Sequence, residues 1–224
     1  TIPIGSLQPT DTAWYWKSGK HMTLQIIGIP QSNFVRAVRM VAEEKGVAYE
    51  LIPAPPHSDD IQVMSPTGKV PGMQHRDLQL SESQAIARYI DINFDGPSLT
   101  PTEPHKAAKV EQWVSIAATD IDQLLMRNYV VEYAFHKDDD GNVIRRKIDK
   151  AVKRFPKMFE MIGNAVADGY FGTNAFSMAD CFVTPILSAT NMWPEGKEII
   201  QANDSVREYF YRMSQRKSYK STAP

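Results

Sequence analysis

The segment that decides the fold reads GKVPGM at residues 68–73 and, after a short interval, LSESQAI at residues 80–86. Proline cannot donate to a sheet ladder, so Pro71 is expected only at an edge, a bulge or the start of a strand. Glu82 and Ser83 stand where a helix begins. The unpaired N–H groups and the dipole of a helix N-terminus favour an anion, so these residues are candidates for binding one. Ser83 could equally be a helix cap without a ligand.

Outward from this segment, the sequence alternates between strand and helix patterns. A short β-branched run at 23–27 predicts a buried strand, and apolar residues from Phe34 to Lys45 predict a helix that ends at Gly46. The next predicted elements are a strand at 47–51, a Pro-rich loop at 53–67, a hairpin formed by 70–74 and 78–80, and a helix at 83–94. The order is therefore βαβ, a loop, then ββα.

A change in composition divides the chain. The residues after this unit are rich in Gly, Pro, Ser and Thr, which is typical of a linker, and helical periodicity dominates beyond them. Two long helical segments are expected there, at 105–135 and 143–167. We predict an N-terminal extension at 1–21, an α/β domain at 22–94, the linker at 95–104 and an all-helical domain at 105–224.

Composition argues against several classes of function. The formal net charge is −1, so there is no overall basic field to attract nucleic acid. No apolar run approaches the ~18 residues of a membrane span. Cys181 is the single cysteine, which precludes an internal disulfide and suits a reducing compartment. The acidic run at 138–140 lacks the closing glutamate of a calcium loop, and we expect no metal.

The βαβ–ββα unit, the Val70-Pro71 junction and the pair Glu82-Ser83 together resemble the cytosolic glutathione S-transferase superfamily over nearly all of residues 22–215. Within it the chain is most similar to the serine-type enzymes, phi-like or a related bacterial class. The resemblance implies a thioredoxin-like N-terminal domain followed by an all-α domain. It also implies glutathione as co-substrate, a homodimer, and a cytoplasmic enzyme of the detoxification type that binds neither nucleic acid nor membrane.

The resemblance also implies how glutathione binds. The bond between Val70 and Pro71 would be cis, which turns the backbone of Val70 toward the cysteinyl backbone of the peptide. Ser83 would bind the γ-glutamyl carboxylate, Glu82 the ammonium group, and Lys69 the glycyl carboxylate.

Ser32 matches the catalytic serine of this family, at the start of the helix that follows the first strand. A free thiol has a pKa near ~8.5, so little of it is ionised at neutral pH. A hydroxyl donor and a helix N-terminus would lower that pKa by roughly two units. Ser32 could instead serve only as the N-cap of the helix.

An electrophile must bind beside the sulfur, and family members form that pocket from the first loop, the long helix after the linker and the C-terminal segment. The candidates here are Ile29, Phe34, Met126, Tyr129, Tyr133 and Trp193, each of which could be a core residue instead. We predict a glutathione transferase that acts on small apolar electrophiles. The alternatives are a glutathione-dependent isomerase or dehalogenase, and a non-catalytic glutathione-binding or interaction protein of the same fold.

Overall fold

A four-stranded mixed sheet organises the N-terminal part of the protein. The computed structural model describes residues 21–224, with residues 21 and 22 described by their backbone only, so most of the predicted extension lies outside it. The strands are β1 (His21–Ile27), β2 (Tyr49–Ile52), β3 (Gly72–Arg76) and β4 (Leu78–Ser81), in the order β2-β1-β3-β4. β1 runs parallel to β2 and antiparallel to β3, and β3 runs antiparallel to β4.

Helices α1 (Asn33–Lys45), α2 (Asp59–Gln62) and α3 (Ser83–Asn93) complete this part. Together with the strands they give the predicted order, βαβ followed by ββα, which confirms the expected fold class. Gly46 ends α1 in the left-handed conformation that glycine adopts without a steric penalty. Helices α1 and α3 share a buried apolar core with one face of the sheet.

The C-terminal part is helical. Its elements are α4 (Pro104–Ile116), a π-helix (Ala117–Val130), α5 (Val131–Phe135), α6 (Arg145–Val152), α7 (Phe155–Ala165), α8 (Met178–Thr190), α9 (Pro194–Ala202), α10 (Asp204–Ser214) and α11 (Lys217–Ser221).

Two predicted helices differ in detail from the observed ones. The helix predicted at 105–135 is continuous, but its hydrogen bonding changes to the π pattern over 14 residues, which apolar periodicity does not reveal. The helix predicted at 143–167 was wrong as a single element, because α6 ends at Val152 and α7 starts three residues later. Pro156 lacks the N–H that would donate to Val152, and its ring would clash with that carbonyl.

Helix α1 also carries two buried arginines. Arg36 donates to the hydroxyl of Ser188 at 2.9 Å and to the carbonyl of Tyr219 at 3.1 Å. Arg39 donates to the carbonyl of Thr222 at 3.2 Å. A buried guanidinium is tolerated only when such acceptors replace water, so the segment around α11 covers this side of α1.

Asp180 connects the start of α8 to two other parts of the helical domain. Its carboxylate accepts the backbone N–H of Ser177 at 2.8 Å and of Phe171 at 3.2 Å, and the hydroxyl of Tyr209 at 2.9 Å. Ser177 and Asp180 form a capping box at the start of α8. Because the side chain is completely buried, these donors take the place of water.

Replacing Asp180 tests this arrangement. We expect Asp180→Ala to lower the free energy of unfolding by about 3 kcal/mol or more, because buried donors are left without an acceptor. Urea denaturation followed by circular dichroism measures the change. The control Asp168→Ala, at an exposed position, is expected to change stability by less than about 0.5 kcal/mol. A loss below about 1 kcal/mol for Asp180→Ala would contradict the role.

Candidate functional site

Ser32 is the N-cap of α1 and ends the loop that follows β1. Its hydroxyl oxygen accepts the backbone N–H of Val35 at 3.4 Å. Its own backbone N–H donates to the carbonyl of Ile29 at 3.1 Å. The hydroxyl acts as an acceptor in the cap, so its proton is left to donate elsewhere. The side chain is half-buried, and capping is therefore compatible with binding a thiolate.

Gly28 allows the segment before β3 to approach the start of α1. A Cβ atom at this position would lie 2.5 Å from Cγ2 of Val35 and 3.0 Å from Cβ of Val70. The first distance is too short for a real Cβ atom, the second is tighter than most, and φ is +152°, so glycine is the residue that fits between these two valines. Ser32 and Val70 are brought into the same region by this contact.

The peptide bond between Val70 and Pro71 is cis, which confirms the prediction. The N–H and C=O groups of Val70 form no hydrogen bond with any residue of the described chain, since β3 begins two positions later at Gly72. Val70 is half-buried and Pro71 is buried. An extended peptide could pair with the open backbone groups by strand addition.

Glu82 and Ser83 stand at the junction of β4 and α3. Glu82 has φ +70° and ψ 112°, and its exposed side chain makes no capping hydrogen bond. A non-glycine residue with such a positive φ costs about 1–3 kcal/mol, and such residues cluster at ligand sites. Ser83 is 8% exposed and is the first residue of α3. This geometry supports the predicted binding role of the pair.

Lys69 is exposed and donates no hydrogen bond within residues 21–224. Next to it lies His57, which the sequence did not assign to the site. The N–H of His57 donates to the carbonyl of Gly68 at 2.7 Å. A Cβ on Gly68 would lie 2.4 Å from Nδ1 of the imidazole. The length of the loop before β3 departs from the family pattern, so the sequence provides no basis for assigning His57 to the site.

Asp122, on the π-helix, is a second residue that the sequence did not indicate. Its Oδ1 accepts a hydrogen bond from Nδ2 of Asn33 at 3.1 Å, and its Oδ2 accepts one from Nε of Arg127 at 2.9 Å. Burial raises the pKa of Asp122, while Arg127, Asn33 and the charge of Lys69 act in the opposite direction. Asp122 thus ties the residue after Ser32 to the helical domain. These partners lie 89 positions apart, beyond any local pattern.

The residues predicted to line an electrophile pocket lie in two environments. Ile29 and Phe34 are half-buried and flank Ser32 in the chain, and Met126 is 6% exposed. Phe34 packs against Phe182 of α8, with ring centroids 6.4 Å apart.

Tyr129 and Tyr133 belong to a polar cluster of the helical domain. Their hydroxyls donate to Oε2 of Glu195 at 3.0 Å and 2.7 Å, and the ring of Trp193 stacks on Tyr133 with centroids 4.6 Å apart. Burial by itself would raise the pKa of Glu195, but the donors Tyr133 and Arg145 lower it to about 2. Both tyrosine hydroxyls are engaged here, and a pocket role for these rings stays a prediction.

Two further observations concern the part of the chain from residue 21 onward. No helix in it is both long and apolar enough to cross a bilayer. It also brings together no group of three or more His, Cys, Asp or Glu side chains that could hold a metal ion.

The strand order β2-β1-β3-β4, the unpaired backbone of Val70 before β3 and the helical domain that follows define a class of protein. In this class a thioredoxin-like domain comes first and an all-helical domain second. The family "Glutathione S-transferase, N-terminal domain" matches residues 26–98, and "Glutathione S-transferase, C-terminal domain" matches residues 141–212. The chain belongs to the glutathione S-transferase superfamily, a family that is dimeric and uses glutathione as co-substrate.

Similar proteins are of two kinds. The Stringent starvation protein A homolog of Histophilus somni is 29% identical over 159 residues, which cover 69% of this chain and 68% of that protein. Glutathione S-transferase 3 of Zea mays is 25% identical over 215 residues, 89% of this chain and 92% of that protein. The structure of glutathione transferase F7 from Populus trichocarpa has a TM-score of 0.81 at 22% identity, covering 89% and 97% of the two chains. This last likeness shows the fold.

The bond between Asn33 and Asp122 predicts energetic coupling between the two parts of the site. We expect Asp122→Ala to cost about 1–3 kcal/mol, since it leaves the buried Asn33 amide without an acceptor. In a cycle with Asn33→Ala, the double variant should show a coupling energy of at least about 0.5 kcal/mol. Urea denaturation measures all of the variants.

The control for this cycle is Asp120→Ala, an exposed position on the same π-helix. It should show no coupling to Asn33→Ala. Additivity of Asp122→Ala and Asn33→Ala within about 0.3 kcal/mol would mean that the hydrogen bond does not hold the two parts together.

Proposed function

We propose that this protein is a glutathione transferase that conjugates the thiolate of glutathione to small apolar electrophiles. The observation that carries the proposal is the hydroxyl of Ser32, which caps α1 as an acceptor and keeps its proton available. A thiol placed there would meet a hydroxyl donor and the positive end of a helix of 13 residues. Both favour the thiolate, the nucleophilic form.

In this proposal the peptide is held along the open end of β3. The backbone of Val70, next to Pro71, pairs with the cysteinyl residue, and Lys69 binds the glycyl carboxylate. Glu82 binds the ammonium group and Ser83 the γ-glutamyl carboxylate. The proposal is supported by the unpaired backbone of Val70, the positive φ of Glu82 and the absence of a hydrogen-bonding partner for Lys69 within residues 21–224.

The electrophile is proposed to bind beside Ser32, against apolar side chains from both parts of the chain. Ile29 and Phe34 contribute from the first part, and Met126 with the rings of Tyr129 and Tyr133 from the second. We assign glutathione binding to residues 22–94, the linker to 95–104 and the helical domain to 105–224. A cytoplasmic homodimer completes the proposal, in keeping with the cytosolic enzymes of the family.

A non-catalytic role in binding or interaction is the second candidate. It is favoured by one observation, the match to proteins named Stringent starvation protein A homolog, a name that includes no transferase activity. The same fold serves both roles, so chemistry at the site has to separate them.

Retention and turnover distinguish the two candidates. We expect the purified chain to bind glutathione-agarose, to elute with free glutathione, and to conjugate glutathione to 1-chloro-2,4-dinitrobenzene at a rate above the uncatalysed reaction. Absorbance of the conjugate measures turnover. Retention without turnover would favour the non-catalytic role, and failure to bind the resin would contradict the transferase and any role that depends on glutathione.

Substitution of Ser32 tests the catalytic assignment. Ser32→Ala removes a charge-assisted hydrogen bond worth about 1.5–3 kcal/mol. The pKa of the bound thiol should then rise by roughly one to two units, and turnover near neutral pH should fall about ten- to a hundredfold. Activity should partly recover at high pH, where the thiol ionises without help. Glutathione affinity should change much less, because other residues bind the rest of the peptide.

The control for this experiment is Ser115→Ala, an exposed position on α4, which should leave the pH–rate profile unchanged. Ser32→Thr keeps a hydroxyl and should retain more activity than Ser32→Ala. An unaltered pH–rate profile in Ser32→Ala would show that the serine only caps the helix.

A further inference from the structure

Residues 145–157 carry a concentration of positive charge that the overall composition conceals. The segment reads RRKIDKAVKRFPK and contains seven basic residues and one acidic residue, a net charge of +6. Since the whole chain has a net charge of −1, the remainder carries −7. A strongly basic element therefore stands out from an acidic protein.

Two of the seven basic side chains are engaged with carboxylates. Arg145 pairs with Asp149 at 2.8 Å and also with Glu195, and Lys147 pairs with Glu132 at 2.8 Å. The other five are exposed and form no ion pair or hydrogen bond within residues 21–224. We call these five the basic face: Arg146, Lys150, Lys153, Arg154 and Lys157.

The basic face is continuous across the junction of α6 and α7. Lys153 has φ −58° and ψ −22°, and the dihedral angles of Arg154 are −95° and −10°, so the backbone stays close to helical through the turn. At about 100° per residue, the basic side chains at positions 146, 150, 153 and 157 lie within about 60° of one another. The buried residues Ile148, Ala151 and Phe155 lie on the opposite side.

We propose that the basic face is a docking surface for an acidic segment of a partner protein, a helix or peptide with carboxylates spaced three and four residues apart. The face is a row about 16 Å long, at 1.5 Å per residue. Carboxylates at helical spacing would form a matching row. Complementary charge of this kind steers association and fixes register.

The chemistry of the face favours an acidic protein segment over other polyanions. The one aromatic residue between positions 145 and 157, Phe155, is 2% exposed, so no ring is available to stack on unpaired bases. The apolar residues of α6 face the core and cannot insert into a bilayer. In sequence the face is bounded by the acidic run 138–140 and by Glu160, all exposed. The basic face is therefore limited to positions 146–157.

The test uses the full chain and a fluorescein-labelled peptide of about 16 residues. Its glutamates are spaced alternately three and four residues apart, and all other positions are alanine. Fluorescence anisotropy at low and physiological ionic strength measures binding. We expect binding that weakens as salt is added. A variant with Arg146→Glu, Lys150→Glu, Lys153→Glu and Lys157→Glu should lose at least about tenfold in affinity, because several attractive pairs become repulsive.

The matched control makes the same change in net charge elsewhere, through Lys106→Glu, Lys109→Glu, Lys197→Glu and Lys217→Glu, all at exposed positions. It should lose less than about threefold. If both quadruple variants lose affinity equally, only overall charge matters and the proposal is overturned. The four corresponding glutamine substitutions in the basic face provide a second variant if the glutamate variant does not fold by circular dichroism.

Two further probes identify the class of partner. A single-stranded thymidine oligonucleotide and vesicles containing phosphatidylserine are measured at the same ionic strength as the peptide. We expect the peptide to bind more tightly than either. Tighter binding of the oligonucleotide or of the vesicles would overturn the assignment to an acidic protein segment, as would failure of the wild-type chain to bind the peptide at low salt.

Discussion

Helix α1 is buried on two opposite sides, and the rest of the structure depends on this double burial. Its apolar residues pack into the core of the sheet domain, while Arg36 and Arg39 are buried beneath the segment around α11. A guanidinium in the interior costs several kcal/mol unless it is paired, so neither side can be uncovered without loss. The N-terminus of α1 is left partly open, and the half-buried Ser32 lies there with its hydroxyl proton available.

Much of the fold can be predicted from short stretches of sequence, because strand runs, helical periodicity and helix caps each involve neighbouring residues. A short β-branched run predicts the first strand, and helical periodicity together with Gly46 predicts α1 and its end. Pro156 could have revealed the break between α6 and α7, but a strong apolar period outweighed it. The π-helix could not be found in this way, because its hydrogen bonding depends on how the long helix packs.

The residues of the candidate site also differ in whether local sequence predicts them. Ser32, Val70 and Glu82 are recognisable because each belongs to a short motif beside a strand or a helix start. Asp122 is not, since its role arises only when the helical domain folds against α1. The net charge of the whole chain likewise does not predict the basic face, because the face arises from the spacing of a few residues. A net charge of −1 says nothing about how charges are grouped on one face of a helix.

The contacts that cover α1 also affect how the protein can fold during its synthesis. Arg39 and its acceptor Thr222 are 183 positions apart, and a ribosome adding about 5–20 residues per second needs roughly 10–40 s to make that interval. The sheet domain emerges first, with both arginines of α1 still hydrated and one side of the helix bare. The cover of α1 is complete only after the residues around Thr222 have been made, so the final packing of the sheet domain depends on the end of the helical domain.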